Sequence, residues 1–416
     1  MDKLLVPEFL LNFNCIGSQC EDTCCHEWEI LIDKNTYYTY KKSKNKLIKE
    51  KFNSSVGLNG KSNNDGNYAK IVLDDNKRCA FLNKDKLCLI HSELGPESLC
   101  YTCKIYPRIY NKVGQAFEES LSLSCPEVAR LALLNRNKMS FTEIDINVKF
   151  ETYCTNTVNK NEDIFWLLRM FTIDVLQNRN FELWERLALL GVFFEQSSNF
   201  IEEDKKSDLI SIIDSFNLLL DTEEVHNILN SLNKNDENQF NILNVFYQLA
   251  GFKNTIQVFE ELCMDFHEGL LDTDEREKIS IHKYNKNYED YYKIFIQKYE
   301  HIFENYLVHY VFTNLFPTSK IGNAYDEYCV LVLNYVLIKG YLIGISGKYK
   351  MIDEELTIKL IHSYSRNYAH GNNNIQNIYK VLKNKKMMTL ENIIQLNRII
   401  NNNLLKNIYE LIDGYT

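Results

Sequence analysis

The chain has 416 residues and a formal net charge of −9 at pH 7. That length can bury a sizeable core and suits two or three domains, and an apolar share ordinary for a globular protein excludes wholesale disorder. The charge is uneven, with 21 Lys+Arg against 19 Asp+Glu through residue 150 and 26 against 37 beyond it. The acidic second part speaks against nucleic acid and suits a basic partner, or equally a well-solvated surface.

The opening residues, Met1 to Glu8, lack the apolar core of a signal peptide, and charge returns at Glu8. No apolar run approaches the roughly 20 residues that span a bilayer. The expectation is a cytoplasmic protein with no membrane segment and reduced thiols.

Residues 28–32 mix apolar side chains with one charge and predict a short strand. Asp33 is placed to cap a helix beginning near Thr36. The run 53–67 is rich in Gly, Asn and Ser and predicts an exposed loop. Residues 71–73 predict a second strand. Residues 79–82 and 87–90 flank the polar turn 83–86 and predict a hairpin with one cysteine on each arm. Gly95-Pro96 breaks the chain before a short helix carrying Cys100 and Cys103, which Pro107 ends. A third strand is expected near 118–123. Pro126 suits the first turn of a helix with Val128, Leu131, Ala132 and Leu134 on its apolar face.

Beyond residue 160 the apolar spacing is helical throughout: 164–177, 181–196, 209–220, 238–249, 255–266, 288–316, 357–368 and 390–412. The stretch 328–345 is nearly all apolar and predicts a buried helix. Only Pro317 of the five prolines lies beyond residue 126. The fold class expected is therefore mixed and mainly α: a small, irregular, cysteine-rich α+β unit over 1–140 and an all-helical body over 160–416.

Nine of the twelve cysteines fall between residues 15 and 125. They read Cys15-x4-Cys20-x3-Cys24-Cys25, then Cys79-x8-Cys88-x11-Cys100-x2-Cys103, then Cys125-Pro126. In a reducing compartment such crowding favours metal over disulfides. Zinc prefers C-x2-C pairs, of which only Cys100-x2-Cys103 is one, whereas iron–sulfur clusters accept looser spacing. Eight or nine thiols exceed one four-ligand site, which leaves either two centres or one centre with spare cysteines. Cys154, Cys263 and Cys329 stand apart on stretches read as helical and are expected to be buried free thiols.

These segments resemble the zinc/iron-chelating cysteine family. The resemblance runs through Phe13-x-Cys15-x4-Cys20-x3-Cys24-Cys25, Cys79-x-Phe81-Leu82, Leu87-Cys88-x-Ile90 and Cys103-x2-Tyr106-Pro107-Arg108. Within it the chain is most similar to the flagellin lysine N-methylases, through residues 22–33, 120–130, 304–308 and Arg366-x3-His370. The first two gaps are longer than the family's. The resemblance implies S-adenosylmethionine-dependent methylation of flagellin lysines and a [4Fe–4S] cluster, with zinc as the other metal. It implies Cys15, Cys20, Cys24, Cys25, Cys79, Cys88, Cys103 and Cys125 as metal ligands, with Cys100 as an extra thiol.

The residues themselves constrain the chemistry further. Among the scattered glycines there is no dinucleotide-type fingerprint, and the Cys20-x3-Cys24 start of a radical-enzyme triplet meets Glu27 where a third cysteine would stand. Attack on a sulfonium methyl needs a neutral lysine amine, which requires desolvation or a base. Tyr106 and Arg108 adjoin a ligand position. Arg108 suits either the donor's carboxylate or a structural ion pair. Arg366 and His370 share a helix face, and His370 is a candidate base. The rival reading is a metal-binding module without catalysis, whose helical body docks a partner.

Overall fold

The structure, a computed structural model, describes residues 2–60, 64–146, 154–203, 205–220, 222, 225, 240–245, 256–272, 278–318, 322–370 and 375–395. It is a mixed α+β head followed by a largely helical body, as the sequence predicts.

The first strand, β1 (Asp2–Pro7), was not foreseen. Then come β2 (Leu31–Ile32), α1 (Lys34–Lys41), α2 (Lys46–Ser55), β3 (Val56–Leu58) and β4 (Ala69–Ile71). β2, β4 and β3 form a small antiparallel sheet in that order. Asp33 Oδ1 accepts the amide of Thr36 at 2.9 Å, the cap the sequence predicts. The expected loop over 53–67 is in part a helix end and β3, because Asn45 caps α2 through two amides and carries it to Ser55.

The expected hairpin at 79–90 reduces to one bridge, Leu82 to Cys88, because Leu89–Leu94 is a helix, α3. α4 (Tyr101–Ile105) follows. Next come β5 (Arg108–Val113), β6 (Ala116–Leu121), α5 (Pro126–Leu133), β7 (Phe141–Ile146) and β8 (Cys154–Val158). One sheet takes the order β7-β1-β6-β5-β8, with β1 parallel to β6 and β8 parallel to β5. Cys154 thus sits on a strand, where a helix was expected.

The body comprises α6 (Glu162–Leu176), α7 (Leu183–Glu202), α8 (Lys206–Leu220), α9 (Gln257–Leu270), a small ribbon of β9 (Leu271–Asp272) and β10 (Lys278–Ile279), and α10 (Ile281–Asn287). A π-helical turn (Tyr288–Tyr292) leads into α11 (Lys293–Thr313). α12 (Ala324–Tyr349), α13 (Glu354–His370), α14 (Ile375–Asn384) and α15 (Leu390–Gln395) complete it. Half of the helix expected over 238–249, and all of the one over 390–412 beyond residue 395, lie outside the described residues.

α12 is long and apolar enough to cross a membrane by length and composition, but its apolar window is wholly buried among the other helices. It packs closely on α9, where Gly269, Gly344 and Gly347 let the backbones meet: a Cβ on Gly269 would stand 2.0 Å from the Gly344 carbonyl oxygen.

Two main cores result. Residues between Ile30 and Cys103 form their own cluster, including Tyr40, Ile48, Phe52, Phe81 and Ile90. Phe9, Leu121, Val128 and Leu133 instead join the large core of the body. α11 carries a buried histidine into that join. His309 Nε2–H donates to the Leu121 carbonyl at 2.8 Å, and burial holds its pKa down to about 4.

The unfolded chain protonates this histidine near pH 6.5, whereas the folded one refuses the proton until about pH 4. With the folded pKa depressed, the contribution is complete above pH 6.5 and is lost as pH falls through 4. The expected loss is roughly 3 kcal/mol. Urea unfolding between pH 7 and 4 should show a steeper decline for the wild type than for His309→Gln, which keeps a donor and cannot titrate. Equal slopes would refute the assignment.

Candidate functional site

Local turns bring the cysteines together. Asp74 Oδ1 accepts the amides of Asn76 and Arg78, folding the chain so that the Cys79 amide donates to the Cys25 carbonyl at 2.8 Å. Asn83 Oδ1 does the same for Asp85 and Leu87, and returns Cys88 beside Leu82. Cys88, Cys100 and Cys125 each occupy the N-cap of a helix, α3, α4 and α5. Helix N-termini favour thiolate over thiol.

Six thiols form one network. Cys25 donates between Cys24 and Cys88, so its own pKa is pushed up by both neighbours. Cys88 is held down to about 6 by the Cys25 hydrogen bond, aided by the amides of His91 and Ile90. Cys103 and Cys100 hydrogen-bond to each other, lowering Cys100. Buried Cys79 is pushed up to about 12 by desolvation and feels Cys88, Cys100 and Cys24. A second group, Cys20, Cys125 and Cys15, adjoins through Cys24. Cys100, which the resemblance leaves as an extra thiol, therefore lies inside the network.

All eight cysteines singled out in the sequence are thus gathered, and their soft donor chemistry fits iron or zinc. As they stand, however, no group of three or more His, Cys, Asp or Glu side chains among the described residues is set to hold a metal ion. Cys263 and Cys329 are buried in the body, apart from this network.

The loop between Cys20 and Cys25 is tied to the body by residues that sequence reasoning did not assign. Arg366, 3% exposed on α13, donates to Asp22 Oδ2 at 2.6 Å and to the His26 carbonyl at 2.5 Å. Asp22 Oδ1 accepts from His26 Nε2 at 2.7 Å. Burial pushes the Asp22 carboxyl up, but His26 and Arg366 outweigh it and hold the pKa near 2. Burial works to lower His26, and the carboxylates of Asp22 and Glu27 raise it on balance. Glu27, which stands where a radical-enzyme triplet would have its third cysteine, accepts the amide of Gln257 at 2.9 Å and so caps α9. The signal in the sequence was Arg366 on a helix face; Asp22 and His26 lie in a loop with no periodicity to mark them.

Tyr106 is pressed against Trp28, with ring centroids 5.3 Å apart, and its hydroxyl meets Ser124 Oγ at 3.1 Å. Trp28 Nε1 donates to the Cys24 carbonyl at 2.6 Å, so Tyr106 stands one ring away from the thiols. Arg108 Nε pairs with Glu119 at 3.0 Å across the β5–β6 hairpin, and its guanidinium lies over Phe13. His370 is the last residue of α13, and its side chain lies outside the described residues.

A thiol network clasped to a helical bundle defines the class: a cysteine-rich head on an α-helical body. The FliB lysine N-methylase C-terminal domain matches residues 169–396, more than half of the chain, and the chain belongs to that family. It is 30% identical over 199 residues to the lysine-N-methylases of Salmonella choleraesuis (strain SC-B67) and Salmonella typhimurium (strain LT2), covering 48% of each chain. It is 34% identical over 138 residues to the flagellar biosynthetic protein FliU of Salmonella muenchen, 33% of this chain and 80% of that protein. The chain spans about half the length of the lysine-N-methylases it matches. No solved structure matches it.

Proposed function

We propose that this chain is a cytoplasmic protein-lysine N-methyltransferase that takes S-adenosylmethionine as donor and flagellin as acceptor. The single observation that carries this is the family match across α6 to α15. The names of the relatives, lysine-N-methylase and flagellar biosynthetic protein, support a lysine of flagellin as the acceptor.

The head, residues 1–140, is the metal-bearing unit in this reading, and 160–416 docks the substrate. Four of Cys24, Cys25, Cys79, Cys88, Cys100 and Cys103 would hold a [4Fe–4S] cluster, with the other two and Cys15, Cys20 and Cys125 beside it. The support is the thiol network, in which S–H···S contacts would give way to metal bonds as protons leave. When bound, such a cluster supplies electron-poor iron beside the site. Arg108 would turn from Glu119 to the donor's carboxylate, His370 would take the lysine proton, and Tyr106, whose hydroxyl burial keeps protonated, would hydrogen-bond the amine. An apolar, aromatic channel for the lysine would lower its pKa by desolvation and yield the neutral amine that attack requires.

Protein purified without oxygen should contain iron and sulfide and should transfer label from the methyl donor to flagellin lysine. Stoichiometric zinc without sulfide, after anaerobic reconstitution, refutes the cluster. No label on lysine, with metal content intact, refutes the methyl transfer.

Single Ser substitutions should divide into two sets. Four of Cys24, Cys25, Cys79, Cys88, Cys100 and Cys103, the cluster's ligands, should lose iron and activity together, and the other two should keep them. Cys263 and Cys329 should keep both and lose roughly 1–3 kcal/mol of stability at most. Iron per chain across the variants decides the matter, and loss of iron in Cys263→Ser with retention in Cys88→Ser would overturn it.

A further inference from the structure

α6 and α8 both pack on α7, and a groove of about 410 Å³ lies between them. Each of the two helices carries two apolar faces. Leu168, Phe171 and Val175 of α6 and Leu209, Ile212 and Phe216 of α8 are buried. Trp166, Leu167 and Met170 of α6 and Ile210 and Ile213 of α8, at helical spacing of their own, line the groove. Met170 is 60% exposed and Ile210 39%, so no described residue covers them.

The groove is preformed. Phe171 makes its floor and packs on Phe193 of α7 and Phe216 of α8, with ring centroids 4.3 and 6.2 Å away. The Arg169 guanidinium lies 5.1 Å from the Trp166 ring centroid and steadies that wall. Asp163 and Lys206, paired at 2.6 Å, close one end, and Asp174 and Asn217 stand at the other. The span between them is roughly 16 Å, about three turns of helix.

Charge decides what such a groove can take. Asp163 and Lys206 cancel each other, which leaves Asp174. That carboxylate has no hydrogen bond or ion pair among the described residues. Its apolar neighbours desolvate it and raise its pKa, and Lys138 offsets this only in part. Asp214, exposed on α8, lies one helical turn from both Ile210 and Asn217 and adds negative charge on that side. An apolar groove three turns long, with acid at one end, is the complement of an amphipathic helix. Apolar residues spaced over three turns would fill it, and a Lys or Arg at the helix end would meet Asp174. The acidic excess of the chain beyond residue 150 draws the same kind of partner.

We propose that the α6–α8 groove docks an amphipathic, basic-ended helix of the acceptor protein while a lysine elsewhere in that protein is methylated. The identity of the acceptor rests on the lysine methyl-transfer reading. The residue that meets Asp174 stays charged and is not the one that reacts, so docking and chemistry place opposite demands on two different side chains.

The test uses the full chain purified without oxygen, with flagellin monomer as the probe. Met170→Asp puts a charge into the groove, and Asp174→Lys reverses the charge at its end. Both positions are exposed, and melting temperatures check that the fold is kept. Leu218→Asp is the control, because Leu218 is 56% exposed on α8 and does not line the groove. Fluorescence anisotropy of labelled flagellin reads affinity, and initial rates read KM and kcat. Met170→Asp and Asp174→Lys should each weaken flagellin binding about tenfold and raise KM in step. Neither should change kcat or the affinity for S-adenosylmethionine, and Leu218→Asp should match the wild type throughout. Unchanged affinity and KM in both groove variants, or an equal loss in Leu218→Asp, overturns the groove and leaves the methyl-transfer reading standing. Flagellin binding that the groove variants lose, in a wild type that labels no lysine, overturns methyl transfer and leaves the groove. A wild type that neither binds flagellin nor labels its lysine overturns both.

Discussion

Arg366→Met is expected to cost about 3–5 kcal/mol of stability and to loosen the loop that carries Cys20, Cys24 and Cys25. Asp22 is 6% exposed and Arg366 3%, so neither charge has water to fall back on. Without the guanidinium, Asp22 keeps only His26 as a close partner. His362 Nδ1 stands 3.7 Å away, and burial holds that imidazole neutral to about pH 4. Most of the cost is the penalty of a buried, under-paired carboxylate. Asp22→Asn/Arg366→Met should therefore be milder than Arg366→Met alone, because it removes both charges. Urea unfolding of the three proteins tests the stability, and alkylation of the metal-free protein tests the loop. Cys20, Cys24 and Cys25 should label faster in Arg366→Met, while Cys79, in the head's own core, should not. A loss below about 1 kcal/mol, or uniform labelling, would show that the clasp does not hold the loop.

This clasp also marks where the sequence stops being readable. The helical body is legible because burial repeats every three to four residues, and α12 stands out by an apolar run that the surrounding helices bury. Asp33 and Pro126 signal helix starts through chemistry confined to one turn. β1 escapes because its meaning is non-local: Leu4 pairs with Ile144 and with Phe117, partners more than a hundred residues away. α3 was misread because Leu87 to Ile90 is apolar whether strand or helix, and the choice fell to a single bridge at Cys88 and the helix it caps. The thiols can be counted from the sequence, but their division into one network and one adjoining group depends on the Asp74 and Asn83 turns. Nothing in the sequence marks Asp22 as an ion-pair partner or Glu27 as a helix cap until α13 and α9 meet them.

Glu304→Gln should destabilise the body by about 3–5 kcal/mol, with the fold otherwise retained. Glu304 is 1% exposed and sits at the hub of α6, α7 and α11. Its Oε2 takes Arg186 Nη1 at 2.7 Å, and both its oxygens take the Arg179 guanidinium at 2.8 to 3.1 Å. Arg186 is itself 1% exposed and also donates to the carbonyls of Leu176 and Phe181, the end of α6 and the approach to α7. A neutral amide keeps the shape of Glu304 and leaves Arg186 buried with only the half-buried Glu300, at 3.0 Å. Arg179 is the control: it is 38% exposed at the side chain, so Arg179→Met should cost about 1 kcal/mol or less. Urea unfolding at pH 7 separates the two, and equal losses would show that the hub is not electrostatic.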